Sequence, residues 1–140
     1  DIATLNEDAQ TTIQASALLT NDSDVDGNTL SITAVSGATN GTVALVAGNP
    51  VFTPNANYNG PAQFTYTISD GAGGTSTAVV NLVVNPVNDN PVALNDIGTL
   101  NEDSALTINV KANDTDIDGD TLALVSYGQP AHGVVHGEAH

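Results

Sequence analysis

Between Ile2 and Val84 apolar and polar positions alternate in short runs. IATL (2–5), TTIQA (11–15), LSITAV (30–35), GTVALV (41–46), PVFT (50–53), QFTYTIS (63–69) and TAVVNLVV (77–84) are rich in Val, Ile, Thr and aromatics. That composition suits a pleated, half-buried surface. Turn signals at Asn40-Gly41, Gly48-Asn49, Asn59-Gly60 and Asp70-Gly71 separate the runs. Phe64, Tyr66 and Ile68 alternate with Thr65 and Thr67, while Ala78, Val80, Leu82 and Val84 share one face, as in strands that line a core on one side. Apart from a turn at Ser16 to Leu19, no helical stripe competes. The pattern predicts an all-β chain, a Greek-key sandwich of about seven strands.

The pattern also repeats. DIATLNED (1–8) returns as DIGTLNED (96–103), an offset of 95, and NDSDVDGN (21–28) returns as NDTDIDGD (113–120), an offset of 92. A period of that size is a whole domain, not a solenoid unit. The expected organisation is a complete repeat over residues 1–90, followed over 91–140 by a linker and the N-terminal half of a second repeat. That half would supply about four strands of a seven-stranded sandwich. Its remaining strands are expected from a continuation of the chain or from another subunit, by strand addition. The start lacks a basic, apolar secretion signal, so a targeting segment has been processed away or the sequence is an excerpt.

Charge sharpens the picture. Asp and Glu number 16 against a single Lys or Arg, giving a formal net charge of -15. Nucleic acid and anionic membranes are bound through Lys and Arg, which excludes both as partners. Cations remain as the natural counterpart. Apolar residues make up 40% of the chain, enough for a core and unlike an acidic disordered tail. There is no Cys, hence neither a disulfide framework nor a thiolate zinc cluster. No apolar run approaches the ~18 residues needed to cross a bilayer, and no membrane insertion is expected.

Counting strands places the acids. If consecutive strands alternate direction, Glu7 and Asp8 lie at the pole where the seventh strand ends, and Asp22, Asp24, Asp26 and Asp70 lie at the other. The chain leaves through NPVNDNPVALND (85–96), whose Pro86 and Pro91 favour extended backbone. In tandem, Glu7, Asp8, Asp89, Asp114, Asp116 and Asp118 would converge on one junction, with Asn88 and Asn90 adding oxygens. Such a set suits a hard ion with six to eight oxygen ligands, and irregular ligands from separate segments favour Ca2+ over magnesium. An EF-hand or dockerin-like module is not expected. Its twelfth position would be Thr33 or Val125 where a bidentate Glu is required, and the phrase runs into a strand. His132, His136 and His140 have helical spacing, but Gly133, Gly137 and Val134-Val135 argue against a helix. They are expected to be ordinary exposed residues. Tyr58, Phe64 and Tyr66 could be drawn as a sugar platform, yet Phe64 and Tyr66 fit the core pattern. No nucleophile, base and orienting acid can be assembled, so the chain is read as not an enzyme.

Taken together, NED (6–8), NDSDVDGN, ISDG (68–71) and VNDNPV (87–92) occur in an order that resembles the cadherin family, and more closely its bacterial cadherin-like repeats in large secreted or surface adhesins. The resemblance implies a cadherin/immunoglobulin-like sandwich with calcium held between consecutive domains. The ligands it implies are Glu7, Asn88, Asp89, Asn90, Asp114 and Asp116, with Asp22, Asp24 and Asp70 as the matching set at the free pole. Pro86 stands where the family usually has an acid, and PNANYNG (54–60) replaces an acidic loop, which implies one or two ions per junction. The function so implied is an extracellular or cell-surface adhesion repeat in which calcium rigidifies the junction. Its partners would be neighbouring repeats, identical subunits, or cell-surface or matrix polysaccharide. Alternatives are a carbohydrate-binding module of a secreted polysaccharide-degrading protein and a self-assembling filament subunit.

Overall fold

The alternating runs form strands in the computed structural model, which describes residues 1–137. The chain divides into two units, Asp1–Val87 and Asn88–His140, the division falling just before the Asn-Asp-Asn of the linker. The first unit contains β1 (Ile2–Asn6), β2 (Thr11–Thr12), β3 (Ser31–Thr39), β4 (Gly41–Val46), β5 (Asn49–Pro54), β6 (Gly60–Ser69) and β7 (Thr75–Asn85), with a one-turn helix α1 (Ala15–Leu18). They build two sheets, ordered β1-β7-β6-β3 and β2-β5-β4. β1 runs parallel to β7, and the other pairs are antiparallel. This is the β-sandwich expected from the alternation.

Alternate side chains of both sheets meet between them. Phe52, Phe64, Tyr66 and Val80 are fully buried, and Leu82 and Val84 nearly so. The rings of Phe52 on β5 and Phe64 on β6 stack across the two sheets, with centroids 6.2 Å apart, a geometry that adds to the burial of two large apolar surfaces. Gly41 is required by packing: a Cβ there would fall 2.5 Å from the Phe52 ring and from the Thr53 carbonyl. The preceding Asn40 takes a left-handed backbone (φ 55°) and ties the corner together. Its amide donates to Tyr58 Oη at 2.9 Å and to the Pro61 carbonyl at 3.0 Å.

Two local details differ from the sequence pattern. The β4–β5 turn is Ala47-Gly48, both with positive φ, and Asn49 already belongs to β5. The pairing of Val46 with Asn49 leaves two residues for the loop, and positive φ at both is the type I′ arrangement that suits such hairpins. The turn expected at Ser16 to Leu19 is α1 running into a 3-10 turn, Leu19–Asn21. A single turn has little stability of its own. Buried Leu18 anchors it, and Asn49 Oδ1 accepts the Ala15 N–H at 2.9 Å.

The second unit differs more. Among the described residues from Asn88 onward, β pairing reduces to one bridge between Val92 and Thr115. The expectation of about four strands over residues 96–140 is therefore not met among those described. The sheet orders give the reason. β1, β2, β3 and β4 are hydrogen-bonded to β7, β5, β6 and β5, and the sequence from Asn88 carries counterparts of the first four strands without a copy of residues 49–85. Each segment lacks the partner that would hold it in a ladder.

Candidate metal centre

The acidic phrase folds the same way in both copies. In the first, Asp24 Oδ1 accepts the N–H of Asp26 at 2.9 Å and of Asn28 at 3.0 Å. In the second, Asp116 Oδ1 accepts the N–H of Asp118 at 3.0 Å and of Asp120 at 3.2 Å. Gly27 and Gly119 close the two turns at φ 76° and 78°. A short carboxylate bonding its own downstream amides is the reason Asp recurs at such turns. The consequence in the second copy is chemical. Asp116, Asp118 and Asp120 each present a carboxylate oxygen, all within 4.8 Å of one another. In the first copy the third position is the amide Asn28.

Within the second unit the linker residues run beside this turn. The Asp89 N–H donates to Asp118 Oδ2 at 2.6 Å, and the Leu94 N–H to Asp114 Oδ1 at 2.9 Å. Val92 and Thr115 exchange backbone bonds at 2.8 and 3.0 Å, and the Asn88 amide bonds the Asp89 carbonyl at 2.8 Å. Asp89, Asp114 and Asp116 are half-buried while Asp118 and Asp120 are exposed. Lys111, the single Lys or Arg of the chain, donates to the Leu122 carbonyl at 3.2 Å.

Asp120 is the site residue that sequence reasoning did not single out. Its signal was the every-second-residue spacing Asp116-x-Asp118-x-Asp120, whose carboxylate oxygens the turn brings within 4.8 Å of one another.

In the first unit the proposed ligands have other partners. Asp22 Oδ2 and Asp1 Oδ2 lie 3.0 and 2.8 Å from the hydroxyl of Tyr66. Asp70 Oδ1 accepts from Ala72 and Gly74 at 2.7 and 2.8 Å. Tyr66 is fully buried, and burial first, then the hydrogen bond and charge of Asp22, push its pKa up to about 12. At the opposite pole Glu7 is 3% exposed. Its Oε1 accepts the Val87 N–H at 2.7 Å, and its Oε2 lies 3.5 Å from the Asn59 amide. Asp8 Oδ1 accepts the Asn57 N–H at 2.9 Å.

Two minor expectations can be placed as well. Phe64 and Tyr66 are core residues, and Tyr58 Oη donates to the Pro61 carbonyl at 2.7 Å, so the three make no exposed sugar platform. His132 and His136 are exposed and outside any helix, and His140 lies outside the described residues.

A family model described as a cadherin-like domain matches residues 1–85, and a bacterial Ig domain model matches residues 88–140. The chain belongs to the cadherin-like family. It is a bacterial cadherin-like repeat followed by bacterial Ig sequence, an adhesion-type module of a class that is extracellular or surface-exposed and structural in role. Cadherin-like domains generally bind Ca2+, and the Asp116, Asp118 and Asp120 oxygens are the hard donors that ion takes. No curated protein matches the chain. Among the described residues no helix is long and apolar enough to cross a membrane.

Proposed function

We propose that the chain is a calcium-stiffened repeat of a secreted or surface adhesion protein, with the ion held where the linker meets the second acidic turn. The observation that carries this reading is the grouping of Asp116, Asp118 and Asp120, to which the linker is joined through Asp89. Asp114, Asp116, Asp118 and Asp120 would supply carboxylates, and Asn88, Asp89 and Asn90 would add oxygens from the linker. Asp22, Asp24 and Asp70 would be the equivalent set of the first copy. Bound calcium would supply the positive charge that this cluster otherwise lacks. Without it like charges repel at short range in a partly desolvated setting. Affinity near 10⁻⁴–10⁻³ M, as in other extracellular modules, would keep the site filled outside a cell.

Titration calorimetry tests the assignment. Asp116→Ala should weaken calcium binding at least about tenfold, equivalent to about 1.4 kcal/mol. Asp116→Asn keeps an acceptor for the turn amides but loses charge, and should weaken binding comparably. Asp26→Ala, in the first copy, should change it little. Equal effects of Asp116→Ala and Asp26→Ala would place the site elsewhere.

A further inference from the structure

Glu7 is the buried charged residue of the described structure, 3% exposed. Its surroundings account for that. Its own N–H donates to the Asn85 carbonyl at 3.0 Å, continuing the parallel β1–β7 pairing one step past Asn6. The next residue along, Pro86, has no N–H, so the first donor beyond β7 is Val87, and Glu7 Oε1 takes it at 2.7 Å. The other oxygen faces the Asn59 amide at 3.5 Å, in the loop where neighbouring Asp8 accepts the Asn57 N–H. Glu7, which follows directly on β1, thus ties the 54–60 loop and the point where the chain leaves the sandwich to the end of that strand. A carboxylate withdrawn from water is tolerated only where such charge-assisted bonds replace its hydration.

We infer that Glu7 is a positioning residue, a latch that fixes Pro86–Val87 and so sets how the polypeptide leaves the first unit, with no ion required. The counterpart in the second copy, Glu102, is exposed, so the role is not a property of the NED sequence alone. It depends on β7 being there to be latched. The inference stands apart from the calcium reading, because the contacts are all to protein.

The test is amide hydrogen exchange in excess chelator. In the native chain the Val87 N–H should be protected at least about tenfold over its intrinsic rate, a local opening free energy of about 1.4 kcal/mol. Glu7→Gln keeps an uncharged acceptor in the same place and should retain most of that protection. Glu7→Ala should lose it, while amides at the centre of the β6–β7 ladder stay slow. Rapid Val87 exchange in the native chain without calcium would overturn the inference, as would identical Val87 rates in the Gln and Ala variants. Should Glu7→Ala fail to fold, the native chain and Glu7→Gln still decide it. Failure of calcium to bind anywhere would remove the proposed function and leave this measurement untouched.

Discussion

The hydroxyl of Tyr66 carries one proton and lies within 3.0 Å of two carboxylate oxygens, those of Asp1 and Asp22. Its ring is fully buried, and burial together with Asp22 raises its pKa from 10.0 to about 12. The unfolded chain therefore ionises this phenol first. Stability from the shift is present below about pH 10 and is lost as pH rises toward about 12, because the folded state holds the proton longer. Urea midpoints at about pH 9 and about pH 11 should fall more in the native protein than in Tyr66→Phe, compared each with itself. The same decrement in both would mean that Tyr66 is not the group responsible. At this scale the sequence was half legible. Alternation put Tyr66 in the core, but its meeting with Asp22 and Asp1 joins residues 44 and 65 positions apart, which no local pattern reports. The contacts of Glu7 with Asn59 and Val87, 52 and 80 positions away, are equally invisible to local pattern.

Strands were legible because their signal is local, an alternation along a few residues, and each expected run of the first unit contains a strand, although TTIQA (11–15) keeps only Thr11–Thr12 and passes into α1 at Ala15. Whether a run becomes a strand is decided by a partner far along the chain. Leu5 and Leu100 occupy the same place in LNED, yet Leu5 is 6% exposed and Leu100 58%. Ile32 and Leu124, related by the offset of 92, are 6% and 53% exposed. The difference lies in β5 to β7, which cover the first copy only. Leu5→Ala should cost about 2–5 kcal/mol, a removed side chain plus a cavity. Leu100→Ala should stay within about 0.5 kcal/mol, as at other exposed sites. Urea unfolding followed by far-UV circular dichroism measures both. A comparable loss at Leu100 would show that the second unit buries it after all. The acidic turn is the part of the second copy that escapes this dependence. Its bonds run between Asp116 and amides two and four residues on, so the same short phrase forms the same turn with or without a sandwich beneath it.

Across the whole molecule, charge is segregated from the sheets. No Asp or Glu lies within β1 to β7, whose side chains are apolar, hydroxyl or amide. The acids sit in the connections, and with a net charge of -15 they repel one another wherever connections approach. Two kinds of cation could relieve that repulsion. Sodium screens it diffusely, with a reach set by ionic strength, about 8 Å at 0.15 M. Calcium held by several carboxylates would neutralise one place and fix it. The two are separable, because screening follows ionic strength and coordination follows calcium concentration. Solution scattering of the 140-residue chain should change when about 1 mM calcium is added after chelation, the regime of extracellular modules. The change should be a narrower spread of dimensions, and sodium chloride at matched ionic strength should not reproduce it. Asp116→Asn should blunt the calcium response and leave the sodium response alone. If matched sodium chloride gave the same profile as calcium, the acids would be a solvated, repelling surface and the junction would owe nothing to a bound ion.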